Sequence, residues 1–571
     1  MTALLGACAA LALAPALATG GIAAIAMRRR GLRFTWSLAA LPVLALPLLA
    51  IGPLDAVANL ERELRSLHAG APRPLTLINT AAAFWLPCSA LVATAGKLWI
   101  DRRDRLHGGS RETRSRASLG PLQLLALRHQ RARAAAAGRT GPDGTFLLGH
   151  DSTHGRPFRV PLPQAHATIV GGSNTGKTNT AEILLEGAAA AGGSFVILDG
   201  KGGRDLARSA YVLGERYARP VALWSVLPYG DEQLDALRLP WNVAGGGNPT
   251  EIKDRIASSE EQAEPYYEAV AARGVLAATQ ALHAVNDGQA DLRSLAELLD
   301  SPDNKLIAAL EHADPTRFES TLAWLRTLGD AEKSGLRGMG LRLHTMIASD
   351  GGQWLLPDPR GQEIDLYTAI RDGWLVVFTL PQGSYPELIP HVARYTISAV
   401  NAVAGRLERE GHTANAVLFI DELSAFDGDQ LCATYERARS AGIRVATSTQ
   451  SLSNLEDVGG TKLLHAALDN AELIIVHRQA VPDTVELLSS LAGTVEAWEH
   501  THKIDDAHSF HMGLDEVGER NRRLTDKFRV HPNQIKHLGK GQAVVISQRP
   551  TLSATPVNIA PGLSAIRRGH G

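Results

Sequence analysis

Long apolar runs fill the first hundred residues, and short β-branched runs alternating with helical ones fill most of the remainder. Residues 4–27 are almost wholly apolar and end at Arg28, Arg29 and Arg30. A second run covers 34–54, interrupted by Pro42, Pro47 and Pro53, and a third covers 75–100, with Trp85 and Trp99 as interfacial anchors. Each approaches the roughly 20 residues a helix needs to cross a bilayer. The arginines follow the first run, the reverse of a cleaved signal peptide, so a retained helix with its N-terminus outside is expected. The positive-inside rule then puts 28–33 in the cytoplasm, a 55–74 loop outside and everything after Lys97 inside. Three crossings satisfy this pattern; a re-entrant Pro-rich hairpin in place of one would leave two.

Beyond Thr145, strand-like runs begin near Ala167, Phe195, Val221, Trp374, Ala416, Ile443, Glu472 and Ala543, with helical stretches between most of them. This predicts an α/β fold with a mainly parallel sheet. Between 250 and 347, Ala/Leu/Glu-rich helical periodicity replaces the β-branched runs, so an all-helical insert interrupts the sheet. The expected organisation is a transmembrane anchor (1–100), a basic juxtamembrane linker (101–144), a nucleotide-binding domain in two parts (145–249 and 348–560) around the insert (250–347), and a tail (561–571).

Hydrophobic residues make up 45% of the 571 and charged ones 20%, with a formal net charge of −1. Such values fit a globular chain with a sizeable core and exclude a disordered one. At this length two or three folded units are expected. A near-neutral chain meets nucleic acid only through local charge. Between 97 and 139, eleven basic side chains stand against three acidic ones, a local excess of eight. That excess suits a segment resting on anionic lipid, at about 1 kcal/mol per basic residue; the alternative is a collar that meets DNA phosphates. Cys8, Cys88 and Cys432 lie far apart, with neither metal-ligand spacing nor a disulfide framework, which suits a reducing compartment.

The strand at Ala167-Thr-Ile-Val170 runs into Gly171, Gly172, Ser173, Asn174, Thr175, Gly176, Lys177 and Thr178, and a helical stretch opens at Asn179. This is G-x-x-x-x-G-K-T with the strand before and helix after that it requires. The glycines let consecutive backbone N–H groups and the helix N-terminus face the phosphates of ATP, so 171–179 are the expected nucleotide contacts. Lys177 supplies charge to the β- and γ-phosphates, and the Thr178 hydroxyl ligates Mg²⁺. Ala416-Val-Leu-Phe-Ile420 reads as a buried strand followed at once by Asp421 and Glu422. Asp421 at such a strand end reaches the same Mg²⁺, and Glu422 is placed to polarise the attacking water as general base. Two further strand ends, Asp199-Gly-Lys201-Gly202 and Ser448-Thr449-Gln450, are candidates to face the site as well. His500, His502, His508 and His511 lack the spacing of a metal site and read as a solvated loop.

In order, the N-terminal apolar runs, the motif at 171–178, Leu198-Asp-Gly-Lys-Gly202, the helical insert, Phe419-Ile-Asp-Glu422 and Thr449-Gln-Ser-Leu-Ser-Asn-Leu455 resemble the type IV coupling proteins. These are the TraG/TraD-like ATPases of bacterial conjugation, related more distantly to FtsK and HerA motors. The closing stretch at 528–547 resembles the family's last strand region, so the likeness spans residues 145–550. It implies a RecA-like motor assembled as a homo-hexameric ring at the inner membrane, with its ATPase domain in the cytoplasm. Such a motor takes relaxase-bound DNA, single-stranded rather than duplex, to a type IV secretion channel, and its insert meets relaxosome proteins. The resemblance also implies that Gln450 senses the γ-phosphate and that a neighbour supplies an arginine, Arg478 first, with Arg437, Arg439 and Arg444 as alternatives.

The chain departs from the family in its three expected crossings instead of two, in Asp199-Gly-Lys-Gly202 where Asp-Pro-Lys-Gly is common, and in a tail that is not acidic. Two other functions fit the same motifs: an FtsK-like pump for double-stranded DNA, and a membrane receptor that recruits protein substrates to a secretion channel.

Overall fold

The structure, a computed structural model, describes residues 16–27, 35–68, 85–100, 139–140, 145–153, 155–161, 166–257, 265–423, 426–502, 520–549 and 551–563. It divides into two compact units, 1–118 and 119–571.

In the first unit, helices cover 16–27, Thr35–Ile51, Pro53–His68 and 85–100. The first and last pack through small residues. Trp85 Nε1 donates to Thr19 Oγ1 at 3.0 Å, Thr19 and Ser89 share a 2.8 Å hydroxyl contact, and a Cβ on Gly20 would stand 2.6 Å from the Ser89 carbonyl oxygen. Among the described residues no helix is long and apolar enough to cross a membrane. The apolar helix Thr35–Ile51 has 17 residues, about 25 Å at 1.5 Å per residue against a hydrocarbon core of about 30 Å. The chain turns at Gly52, in the left-handed region at φ 87°, into the amphipathic helix Pro53–His68. Much of the stretch expected to be an external loop is therefore helical, and the three-crossing arrangement does not follow from the described helices.

The second unit is built on an eleven-stranded sheet. In chain order the strands are β1 (Thr145–Asp151), β2 (Pro157–Pro161), β3 (His166–Val170), β4 (Ser194–Asp199), β5 (Val221–Ser225), β6 (Leu375–Thr379), β7 (Ala416–Asp421), β8 (Ile443–Thr449) and β9 (Ala471–Val476). A separate ribbon of β10 (Thr494–His502) and β11 (Arg520–Phe528) comes next, and β12 (Gln542–Ser547) and β13 (Ser553–Ile559) then rejoin the large sheet. Across that sheet the order is β2-β1-β13-β12-β9-β3-β8-β7-β4-β6-β5. All neighbours from β9 to β5 are parallel. β12, β13, β1 and β2 extend the sheet antiparallel. The parallel portion matches the strands read from sequence, whereas β1, β2 and β13 leave no unbroken apolar run, being interrupted by Gly149, Arg159 and Pro556 respectively.

Period-two alternation splits the parallel strands between two cores. Phe195 and Ile197 of β4 and Val417 and Phe419 of β7 face a layer that includes Ile183 and Leu185 of the helix Lys177–Ala190 and Leu213 of Asp205–Tyr217. Val196 and Leu198, with Leu418 and Ile420, face the opposite layer, where the helix Leu388–Arg409 brings Val392 and Val400. Strands buried on both faces read as continuous apolar runs, which is why their pattern was legible.

Between β5 and β6 the chain is helical: Pro249–Ala257, Pro265–Val285, Leu292–Asp300, Ile307–Ala313, Glu319–Thr327 and Asp330–Ala348. Val275, Leu295, Leu336 and Leu343 of these helices belong to the same core as Trp224 and Phe378 of the sheet. The helix Asp330–Ala348 crosses Leu292–Asp300 backbone to backbone at Gly340, where a Cβ would lie 2.8 Å from the Asp300 amide nitrogen and 3.0 Å from the Ala296 carbonyl oxygen.

The two strands of the ribbon, β10 and β11, pair antiparallel. His500 and His502 are thus on a strand, in register with Arg522 and Arg520, and not in a loop. His508 and His511 lie outside the described residues. Arg139, the last cation of the basic linker, is tied into the second unit: it pairs with buried Glu186 at 2.6 Å and donates to the Pro561 carbonyl at 2.5 Å.

Gly340 gives a direct check of the helical packing. Gly340→Ala should destabilise by about 1–3 kcal/mol through overpacking against backbone. Gly338→Ala, on the same helix with nothing within 4 Å of its Cβ, should stabilise by about 1 kcal/mol through helix propensity. Thermal unfolding of the two variants measures both signs.

Candidate active site

The carboxyl ends of β3, β8, β7 and β4 stand side by side, and the sheet register fixes what meets there. Val170 pairs with Thr449, Asp421 with Ser448 and Asp199 with Asp421. The order places β8 between the P-loop strand β3 and the acidic strand β7.

After β3 the chain turns through the glycine-rich loop into the helix Lys177–Ala190. Two glycines are required. A Cβ on Gly171 would stand 2.6 Å from His477 Cβ, and Gly176 sits at φ 118° against the Gly541 backbone. Gly172 has no such clash, its nearest neighbour being 3.6 Å away. Asn174 takes the left-handed region at φ 58°, and Thr175 Oγ1 closes the turn on the Gly172 carbonyl at 2.8 Å. Neighbouring strands hold the loop from outside: Gly171 N–H donates to the Thr449 carbonyl at 3.1 Å, Gly172 N–H to the Arg478 carbonyl at 3.1 Å, and Gly541 N–H to the Thr175 carbonyl at 3.0 Å. The first helical N–H groups, which have no intrahelical acceptor, open on the same side.

Lys177 is buried, and its ammonium donates to the carbonyls of Gly171 and, at 3.1 Å, Gly172. Burial lowers its pKa most, the nearby Lys201 charge adds to that, and Asp421 and Glu422 oppose it. Thr178 follows, half-buried, in the first turn. The Asn179 side chain points elsewhere: it donates to the Ala560 carbonyl at 2.8 Å and accepts from Gly562 N–H at 2.5 Å. Of the residues at 171–179, Asn179 therefore offers the loop only its backbone.

On β7, Asp421 is buried and its Oδ2 pairs with Lys201 Nζ at 2.7 Å. Glu422 leaves the strand at φ 70°, unusual for a residue with a side chain. From there Glu422 Oε2 accepts from Gln450 Nε2 at 3.2 Å, and Gln450 Oε1 accepts from Ser173 Oγ at 3.4 Å. Gln450 thus bridges the P-loop and the acidic strand end through its side chain, and Gln479 Nε2 holds its backbone carbonyl at 2.7 Å. An oxygen donor set of one hydroxyl and one buried carboxylate, Thr178 and Asp421, suits Mg²⁺, which is held by few protein oxygens besides substrate phosphates.

Arg478 stands at this end of the sheet, its side chain exposed and its carbonyl bonded to the P-loop of its own chain. The other arginines do not. Arg439 pairs with Glu472 at 2.9 Å and Arg444 donates to Asn415 at 2.8 Å, both at the amino ends of the strands, and Arg437 closes the helix leading into the amino end of β8.

Sequence reasoning missed His477. It lies under the loop, wholly buried, with Nδ1 3.0 Å from the Gln542 carbonyl and Nε2 2.9 Å from Thr180 Oγ1. A carbonyl only accepts, so Nδ1 carries the proton and Nε2 accepts from the hydroxyl. Burial first, and the Lys177 charge also, hold its pKa down to about 4. Its one sequence signal is a polar residue following a fully apolar strand, Ile474-Ile-Val476.

Fold and site together define an α/β P-loop nucleotide-binding core. Residues 415–540 match the family model described as the TraM recognition site of TraD and TraG. The fold is similar to that of the bacterial conjugative coupling protein TrwBdeltaN70, with TM-score 0.50 and 17% identity over 76% of this chain and 92% of that one. It is also similar to the plasmid coupling protein TrwB in complex with ADP and Mg²⁺ (TM-score 0.47, 18% identity, 72% and 90% covered) and to VirB4 of Thermoanaerobacter pseudethanolicus (TM-score 0.46, 13% identity, 75% and 100% covered). No curated protein sequence matches the chain. At 17% identity the first likeness establishes a common fold. The family match thus places residues 415–540 with the TraD and TraG family, and the likeness over the rest of the chain is one of fold.

His166, buried with a pKa lowered to about 4 chiefly by burial, behaves like His477. Both stay neutral in the fold while their unfolded counterparts take up a proton near pH 6.5. Stability contributed by the neutral rings is thus complete above about pH 6.5 and falls as pH drops toward 4, by at most about 3 kcal/mol for each. Melting temperature measured from pH 7 to 4 should show this decline, and His477→Gln should lessen its slope.

Proposed function

We propose that this chain is a membrane-anchored ATPase that couples ATP hydrolysis to the delivery of relaxase-bound single-stranded DNA to a type IV secretion channel. The observation that carries the hydrolytic part is the Ser173–Gln450–Glu422 bridge, which ties the loop that would hold the phosphates to the carboxylate that would activate water. In this reading the loop amides at 171–178 and the Lys177 ammonium bind the β- and γ-phosphates of ATP. Thr178 and Asp421 hold Mg²⁺, which when bound neutralises charge building on the phosphate oxygens. Glu422 polarises water as general base, and Gln450, hydrogen-bonded to it, registers whether a γ-phosphate is present. Arg478, exposed beside the loop, is the arginine we assign to the γ-phosphate in an assembled homo-hexamer.

The DNA-delivering role rests on the coupling-protein family match and the shared fold. The matched family's description names a recognition site for TraM, which supports contact with relaxosome proteins through residues 415–540. For the inner membrane, the supporting observation is the apolar surface of the first unit: Leu17, Ile22, Val43, Leu49 and Trp99 are each about 60% exposed or more. So much apolar surface is unfavourable in water and suits a lipid or protein environment.

The test is ATP turnover of the full-length protein in detergent, alone, with single-stranded DNA and with duplex. Single strands should stimulate strongly. Lys177→Ala and Glu422→Gln should each lower stimulated turnover by two orders of magnitude or about that, Lys177→Ala through lost nucleotide affinity and Glu422→Gln with affinity kept. A preference for duplex would favour a double-strand pump, and DNA-indifferent turnover would overturn the DNA-delivering role.

A further inference from the structure

Lys201 has no part in the hydrolytic scheme, although it stands at the centre of the strand ends. Because β4 and β7 are parallel and in register, Asp199 lies opposite Asp421, and the two residues are only 3% and 4% exposed. Neighbouring buried carboxylates resist ionising together. Burial and then the Asp421 charge push Asp199 up to about 7. Lys201 answers both acids: its backbone N–H donates to Asp199 Oδ1 at 3.1 Å, and its ammonium pairs with Asp421 Oδ2 at 2.7 Å.

The backbone around Lys201 is fixed by two glycines. Gly200 N–H donates to the Asp421 carbonyl at 2.9 Å, and a Cβ there would stand 2.9 Å from the Glu422 carbonyl oxygen. Gly202 sits at φ 68° with its Cβ position 2.5 Å from Pro381 Cα. The Lys201 side chain is 45% exposed at the end of a flexible four-carbon stem, so it can leave Asp421 without moving the backbone. Asp421 itself has no such freedom.

We infer that Lys201 is a positioning residue whose ammonium holds the Asp421 carboxylate in place of a metal cation and is displaced from it when Mg²⁺ enters with the nucleotide. This rests on reading Asp421 as the metal-binding carboxylate. Two cations cannot share one buried oxygen without strong repulsion. Lys201 therefore does two things: it keeps the acidic strand ends together before loading, and it makes metal binding weaker than the carboxylates alone would allow.

The experiment measures ADP affinity of the full-length protein by calorimetry, in EDTA and in Mg²⁺, alongside melting temperature in EDTA. Lys201→Met should lower the melting temperature in EDTA and increase the Mg²⁺ enhancement of ADP binding by about tenfold. Lys201→Arg, which keeps the charge and guards against a poorly folding Met variant, should keep both values near wild type. An unchanged Mg²⁺ enhancement in Lys201→Met would overturn the inference. So would an equal loss of ADP affinity with and without Mg²⁺, which would make Lys201 a phosphate ligand. Failure of the wild type to bind ADP at all would instead remove the nucleotide reading beneath it.

Discussion

Insertion of β8 between β3 and β7 is the constraint on which the rest depends. Parallel pairing on both of its edges aligns the ends of three strands, so that the P-loop, Gln450 and the Asp421–Glu422 pair reach one level. A shift of one residue in either register would turn alternate side chains to the other face of the sheet. The two cores above and below the strands hold that register, because the buried apolar residues of β4 and β7 are each committed to one of them. The chemistry at the strand ends is thus a consequence of packing in the middle of the strands.

Electrostatics at this level are crowded and close to balanced. Lys177 and Lys201 stand against Asp199, Asp421 and Glu422, and each group perturbs another. The loop above them is held by backbone bonds from β8, from the end of β9 and from the start of β12, and by the Lys177 ammonium on the Gly171 and Gly172 carbonyls. His477, neutral beneath the loop, adds support without adding charge. A backbone-held frame thus carries a cluster of opposed charges at the strand ends.

The sequence made the parallel strands, the glycine-rich loop and the Asp421–Glu422 pair legible, because a strand buried on both faces leaves an unbroken apolar run and a strand end leaves a polar break. Less was readable where side chains meet across distant strands. Nothing in the local pattern of Val476-His-Arg478 shows that His477 lies under Gly171, nor that Asn179 turns to Ala560 and Gly562. The polar stretch around His500 and His502 reads as loop from sequence because it carries no apolar run, yet both residues lie on β10, paired with β11. At the N-terminus, hydropathy and the placing of the arginines suggest three spans with a loop from 55, whereas the chain from Pro53 to His68 is an amphipathic helix and no described helix is long and apolar enough to cross a membrane.

The claim that the aligned strand ends form one hydrolytic unit is tested most directly at Gln450, the side chain that bridges Ser173 and Glu422. The measurement is single-turnover cleavage of ATP already bound to Gln450→Ala, set beside its ADP affinity. If the bridge acts on the positioning of Glu422, cleavage should slow by about tenfold or more with ADP affinity nearly unchanged. A wild-type cleavage rate in Gln450→Ala, or a loss confined to affinity, would contradict it.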